Sequence, residues 1–170
     1  MSTIRPCRPG EEPEILQIIN SAAEAYRGVI PADRWHEPYM SEAELAREKA
    51  SGVVFWGYEA DTELIGVMGI QPVRDVDLIR HAYVRTAEQG RGIGAALMDH
   101  LVARVTRPLL VGTWADATWA IGFYRRHGFQ LVDAAEKDRL LSTYWTISDR
   151  QRDVSVVLTQ GVRSLERVSP

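Results

Sequence analysis

Apolar positions along this chain recur with a period near two in some stretches and near 3.6 in others, and the switches between them mark its elements. Thr3 to Arg8 reads as a short strand, with Pro6 pointing to a sheet edge; Pro9 and Gly10 break it. Ile15, Ile18, Ile19, Ala22 and Tyr26 then fall on one helical face, behind Glu11, Glu12 and Glu14 at the positive end and ahead of Gly28 as a stop. Val29 to Met40 has no period and carries large side chains. Ser41-Glu42-Ala43-Glu44 is a capping box that opens a helix to about Ala50, closed by Gly52. Val53 to Ala60 and Glu63 to Gln71 form a hairpin about Asp61-Thr62, and Pro72 and Asp75 begin the next turn. Leu78 to Val84 is the fourth strand. Ile93, Leu97, Leu101, Val102 and Val105 make the next helical face, ending before Pro108. Leu109 to Ala115 is a buried strand, Thr118 to His127 a helix closed by Gly128, and Phe129 to Val132 a strand. Ala134 to Tyr144 reads as a helical or irregular insertion and Val154 to Thr159 as the last strand. This order predicts an α/β fold, a mixed sheet with helices on its faces.

Composition narrows the function classes. A chain of 170 residues with 45% hydrophobic and 25% charged positions suits one domain, expected over residues 1–160 with a polar, frayed tail at 161–170. A net charge of −3 gives no reason to expect nucleic-acid binding. The single cysteine, Cys7, excludes an intramolecular disulfide framework and fits a cytoplasmic setting. No Cys/His spacing suggests a metal, the first residues lack an apolar leader-like core, and no apolar run is long enough to span a membrane.

The densest chemistry lies at Gln89-Gly90-Arg91-Gly92-Ile93-Gly94-Ala95, between a strand and a helix. Three alternate glycines are more than a simple turn needs. Glycine lets a backbone approach a ligand closely, and the free N–H groups at a helix start attract phosphate. Gly90 to Ala95 also fits a dinucleotide fingerprint, but that motif belongs directly after a first strand, and here five residues separate Val84 from Gly90. No Gly-Lys-Ser/Thr follows, so it is not a Walker loop.

Gln89 to Gly94 resembles the Q/R-x-x-G-x-G/A signature of the GNAT superfamily of acetyl-CoA-dependent N-acetyltransferases. Ala120-Ile121-Gly122-Phe123-Tyr124-Arg125-Arg126-His127-Gly128-Phe129 resembles that family's A-I-x-F-Y-x-x-x-G-F segment. The resemblance implies a mostly antiparallel mixed sheet with helices on both faces and a splayed gap between strands 4 and 5. It implies acetyl-CoA as cofactor and CoA as product. The cofactor would lie against Ala82, Tyr83 and Val84 of the fourth strand, the loop Gln89, Gly90, Arg91, Gly92, Ile93, Gly94 and Ala95, and Phe123 and Arg126. Tyr124 falls where the family places the acid facing the departing sulfur. A tyrosine near pKa 10 protonating a thiolate near pKa 8.5 is uphill by roughly 2 kcal/mol, so a hydrogen bond to the sulfur is the lesser demand.

Two positions depart from the family pattern. Ala117 stands where Asn is frequent, so that one cofactor hydrogen bond is lost or is supplied by Asp116 or Thr118, and Thr86 stands where proline is frequent. The base that takes the amine's proton has five candidates. His81, on the fourth strand, has a suitable ordinary pKa; Glu24, His36, Glu37 and Asp116 are the others. Trp35, His36 and Tyr39 are the expected acceptor wall, with Tyr144-Trp145 as a second, and the same rings also suit packing against the sheet or a second subunit, so that a homodimer is allowed. The expected reaction is direct transfer of acetyl to a primary amine, small or on a peptide, with no nucleic acid or membrane as partner. A CoA-binding regulatory module without turnover is the alternative.

Overall fold

The computed structural model describes residues 1–161, so most of the expected tail, 162–170, lies outside the described residues. Among these residues seven strands form one sheet: β1 (Ser2–Pro6), β2 (Val54–Ala60), β3 (Glu63–Val73), β4 (Val76–Val84), β5 (Leu109–Trp114), β6 (Gln130–Leu131) and β7 (Ser155–Gln160), in the order β1-β2-β3-β4-β5-β7-β6. β1, holding Pro6, is an edge strand, where its missing N–H removes no ladder bond. Every pairing is antiparallel except β4 with β5.

Among the described residues six α-helices flank the sheet: α1 (Glu12–Ala22), α2 (Glu42–Ala50), α3 (Ile93–Val102), α4 (Thr118–Arg126), α5 (Ala134–Tyr144) and α6 (Asp149–Asp153). α1 stops at Ala22, four residues before the sequence pattern does, and tightens into a 3₁₀ turn over Ala23–Tyr26. The tighter winding re-aims Tyr26. α2 starts as its capping box predicts, with Ser41 Oγ accepting from the Glu44 N–H at 3.1 Å. The Ala134 insertion is a regular helix, capped by Asp133 accepting from the Glu136 N–H at 2.9 Å. α6 has no signal in the apolar pattern, since its five residues carry none of it.

Two layers of core result. On one face Met68, Ile79, Leu97, Met98, Leu101, Val111 and Leu158 pack under α3 and α4. On the other, Ile15, Ile18, Leu45, Phe55 and Val67 pack under α1 and α2, and Leu78, Leu110, Leu140 and Val157 under α5. Alternation along β4 therefore sends Ile79 to one face and Leu78 to the other, as the period of two requires.

Candidate active site

β4 and β5 run side by side for a short distance only. Asp77 pairs Leu109, Leu78 pairs Leu110 and Ile79 pairs Val111; beyond them Arg80 to Val84 keep β3 as partner and lose β5. A bulge sits at the point of separation. Gly69 faces Arg80 and Val67 faces Tyr83, so His81 and Ala82 together oppose Met68, and His81 takes a left-handed backbone with φ 54°. The extra residue changes which way side chains point. Arg80 and His81 both turn toward α2, Ala82 and Val84 toward α3, and Tyr83 back toward α1.

The opened gap separates two cavities. The larger, about 760 Å³, lies on the α3 and α4 side. Of the residues expected to hold a cofactor, Ala82, Tyr83, Val84, Gln89, Gly90, Gly92, Ile93, Gly94, Ala95, Phe123 and Arg126 all line it; Arg91 turns outward into an ion pair with Glu88. Gly90 and Gly92 have φ of 80° and 79°, a conformation costly for any residue with a Cβ, and an added Cβ at either would project into open space. Gln89 Nε2 donates to the Val84 carbonyl at 3.2 Å and ties the loop back to the strand end. The first turn of α3 contains no acidic residue and no side-chain cap, which leaves its N–H groups and positive dipole end free for an anion. Gly94 is packed within reach of Phe123 and Val84. Arg126 is exposed at the rim. His127, not anticipated in the sequence, lines the same cavity with Nδ1 3.3 Å from Asp99 Oδ1.

The second cavity, about 160 Å³, lies on the α5 side. Arg80, His81, Tyr83, Trp114, Trp145 and Ser155 are among its walls. Tyr39 of the expected acceptor wall reaches it; Trp35 and His36 stack behind Tyr39 at 5.7 and 6.4 Å between ring centroids. Trp35 is held there by Arg27 over its ring at 4.7 Å and by donating Nε1–H to Glu37 at 2.9 Å. Trp145 lies on the cavity wall, while Tyr144 turns away to donate to Asp75 at 2.7 Å. Asp33–Arg150, at 3.1 Å, and Arg34 to Ser148, at 3.3 Å, join the Val29–Met40 loop to the start of α6.

Among the five base candidates His81 alone lines this cavity. Glu24 and Glu37 are engaged with Arg27, and neither Asp116 nor Thr118 reaches either cavity. His81 Nε2 lies 3.4 Å from Glu48 Oε2, with poor hydrogen-bond geometry, and its ring stacks on Phe55 at 5.9 Å. Glu48 is desolvated, which by itself favours its neutral form, but His81 and Arg80 outweigh that and hold its pKa below the usual value. Arg80 donates to Glu48 and to Gln71, each at 2.9 Å.

Tyr26, Ala82, Tyr83 and Tyr124 line both cavities. Tyr124 is 8% exposed, and burial raises its hydroxyl well above a free tyrosine. It makes no hydrogen bond to another described residue, so the hydroxyl is available to a ligand. Tyr26 and Trp119, like His127, are site residues that sequence reasoning missed. Trp119 stands two residues after Ala117, its ring 5.1 Å from that of Tyr26, on the wall of the larger cavity. The available signal at Tyr26 was a polar-tipped ring closing an apolar stripe just before a glycine.

The family described as "Acetyltransferase (GNAT) domain" matches residues 51–131, the span from β2 through β6 that holds the gap, the glycine loop and Tyr124. The chain is 29% identical over 147 residues to the peptidyl-lysine N-acetyltransferase YiaC of Escherichia coli, covering 85% of this chain and 94% of that protein. Its fold is similar to that of a GNAT-family acetyltransferase from Staphylococcus aureus, with TM-score 0.69 at 16% identity over 94% of this chain and 98% of the other. It is also similar to the PaiA N-acetyltransferase of Thermoplasma acidophilum, solved with coenzyme A, with TM-score 0.68 at 16% identity over 94% and 98%. The matched domain, the relative that spans nearly the whole fold and the sheet opened between β4 and β5 agree: over residues 51–131 the chain is similar to the GNAT acetyltransferase domain, and its fold is similar to that of GNAT-family acetyltransferases.

Proposed function

We propose that this protein transfers acetyl from acetyl-CoA directly to a primary amine, with both bound at once. The observation that carries the reading is the meeting of two cavities from opposite faces of the sheet at one gap, with Tyr124 at the junction. Such a passage suits a two-substrate displacement without a covalent enzyme intermediate, and among the described residues the walls common to both cavities, Tyr26, Ala82, Tyr83 and Tyr124, include no Cys or Ser.

The donor set of the larger cavity fits CoA. The free α3 N–H groups and the left-handed Gly90 and Gly92 suit a pyrophosphate, and the unpaired edge of β4 at Ala82 to Val84 offers backbone hydrogen bonds to an extended amide-bearing arm. Bound there, acetyl-CoA supplies an activated acyl group. An N–H of the same edge stabilises the negative charge that develops on the carbonyl oxygen. The amine enters from the smaller cavity. As the C–N bond forms, its proton passes to His81, and Glu48 stabilises the imidazolium that results. The C–S bond breaks with its electron pair on sulfur. Burial makes Tyr124 a poorer acid than a free tyrosine, so its O–H serves as a hydrogen-bond donor to the departing thiolate, with net protonation completed by solvent.

The acceptor wall is rich in aromatic rings and carries Arg80 and His81; no described Asp or Glu lines it. It therefore suits an amine entering neutral on an apolar stem. The relative's peptidyl-lysine specificity agrees with such a stem, and the acceptor we favour is a lysine side chain on a peptide or protein. Thiol release from acetyl-CoA tests this with a lysine peptide, a peptide blocked at lysine but free at its terminus, and small alkylamines. The reading expects the lysine peptide to give the highest kcat/KM. Thiol release no faster than the no-amine control with every acceptor would overturn it.

A further inference from the structure

We propose that Tyr26 sets the length of the acyl group this protein transfers, restricting it to acetyl. The inference rests on the acyl-transfer reading above and adds to it a specificity-determining residue outside the sheet.

The acyl carbon has one place to react. The thioester occupies one cavity and the amine the other, and the walls common to both are Tyr26, Ala82, Tyr83 and Tyr124. The transfer itself is the same for any acyl chain: a C–N bond forms, the C–S bond breaks and the sulfur leaves with the electron pair. What changes with chain length is where the carbons beyond the carbonyl go. Ala82 presents only a methyl group. Tyr83 is fixed on β4, its ring 6.3 Å from Tyr39 and its hydroxyl donating to Tyr39 Oη at 3.4 Å. Tyr124 stands on α4, edge-on to Phe129 at 5.7 Å. These three walls belong to the rigid frame of the sheet and its helix.

Tyr26 comes from elsewhere. It ends the 3₁₀ turn after α1, two residues before Gly28, whose φ is 82°. From there its ring reaches across the mouth of the gap. It lies edge-on to Tyr83 on the β4 side at 6.2 Å and against Trp119 on the β5 side at 5.1 Å, and the Thr113 and Trp119 side chains approach its hydroxyl. Burial pushes that hydroxyl up to about 12, so the ring acts as a neutral wall. Trp119 beyond it is 45% exposed, so the space behind the Tyr26 ring leads outward. Removing the ring would open the junction in that direction, toward solvent, whereas removing Tyr83 would open it into packed core.

The test is a comparison of acetyl-, propionyl- and butyryl-CoA with one amine acceptor, in wild type, Tyr26→Phe, Tyr26→Ala and Tyr26→Leu. One methylene in an apolar pocket changes kcat/KM by about 10- to 200-fold. Wild type and Tyr26→Phe, which keep the ring, should prefer acetyl over propionyl by at least about tenfold. Tyr26→Ala should shift the propionyl-to-acetyl ratio by a similar factor toward propionyl. Tyr26→Leu, which retains bulk to support the fold, should shift it in the same direction. A ring needed only for packing would lower the melting temperature and reduce turnover of all three thioesters alike; unchanged ratios in folded Tyr26→Ala or Tyr26→Leu would overturn the inference. Wild type inert with every thioester would overturn the acyl-transfer reading, and this inference with it. Turnover of acetyl-CoA by wild type with unchanged ratios in the variants would overturn this inference alone.

Discussion

The two halves of β4 are built for opposite ends. Val76 to Ile79 are buried, and Asp77 to Ile79 pair on both sides, with β3 and with β5. Arg80 to Val84 are partly exposed, pair with β3 alone, contain a bulge and hold a histidine in a left-handed conformation. A central strand ordinarily satisfies its backbone on both sides, because an unpaired buried N–H or C=O is costly. Here the second half leaves one edge unpaired, next to a cavity large enough for a ligand. The difference teaches that the first half supplies stability and the second leaves an edge open beside the larger cavity, and that the bulge between them sets which residues face which cavity.

The sharpest break of that contrast is Leu78→Ala. Leu78 is 1% exposed beneath α5, and its truncation should cost about 2–5 kcal/mol, read as a lower melting temperature with the KM for acetyl-CoA unchanged in the folded fraction. A Leu78→Ala protein as stable as wild type would remove the structural role of the paired half.

The complementary change is Gly92→Val. Ligand at 100 times its dissociation constant stabilises a fold by about 2.7 kcal/mol. CoA should stabilise wild type on this scale, and Gly92→Val should lose most of that shift, because a β-branched residue is strained at φ 79° and its side chain would project toward the ligand. A full CoA shift in a folded variant would detach the loop from the cofactor.

Tyr124→Phe comes next. Loss of a hydrogen bond to a charged group costs about 1.5–3 kcal/mol, which corresponds to roughly ten- to a hundredfold in kcat, with little change in CoA affinity. Normal turnover would return Tyr124 to a packing role.

The smallest expected effect is a pH dependence at the bulge. Glu48 has a lowered pKa in the folded protein, so its stabilising contribution is complete above the ordinary glutamate range near 4.3 and is lost as pH falls through the folded value. The melting temperature of wild type should exceed that of Glu48→Gln at pH 7, with the difference shrinking below about pH 4. Parallel curves down to pH 3 would mean that Glu48 is not coupled to Arg80 and His81.

Much of this arrangement was legible in the sequence, for identifiable reasons. Gly90 and Gly92 take left-handed backbone and Gln89 ties the loop to the end of β4, and such backbone geometry constrains residue type tightly. The apolar periods located nearly every element, because each helix or strand has one face buried. The bulge at His81 was not legible, since a left-handed histidine carries no local signature. Nor was Tyr26: its apolar spacing continued a helix that ends at Ala22, and the switch to a 3₁₀ turn is what brings its ring over the gap. Trp35 and His36 were read with Tyr39 as one wall, but the loop's turn places them behind it. The smaller cavity is assembled from β4, β5, α5, α6 and β7, elements whose proximity only the sheet order reveals.

Amide hydrogen exchange with and without acetyl-CoA tests the central claim most directly, because it reads the two halves of β4 in one experiment. The account predicts that acetyl-CoA slows exchange in the segments covering Ala82 to Val84 and Gln89 to Ala95, and leaves Asp77 to Ile79, already paired on both sides, unchanged. Binding of acetyl-CoA with no added protection in either of the first two segments would contradict it.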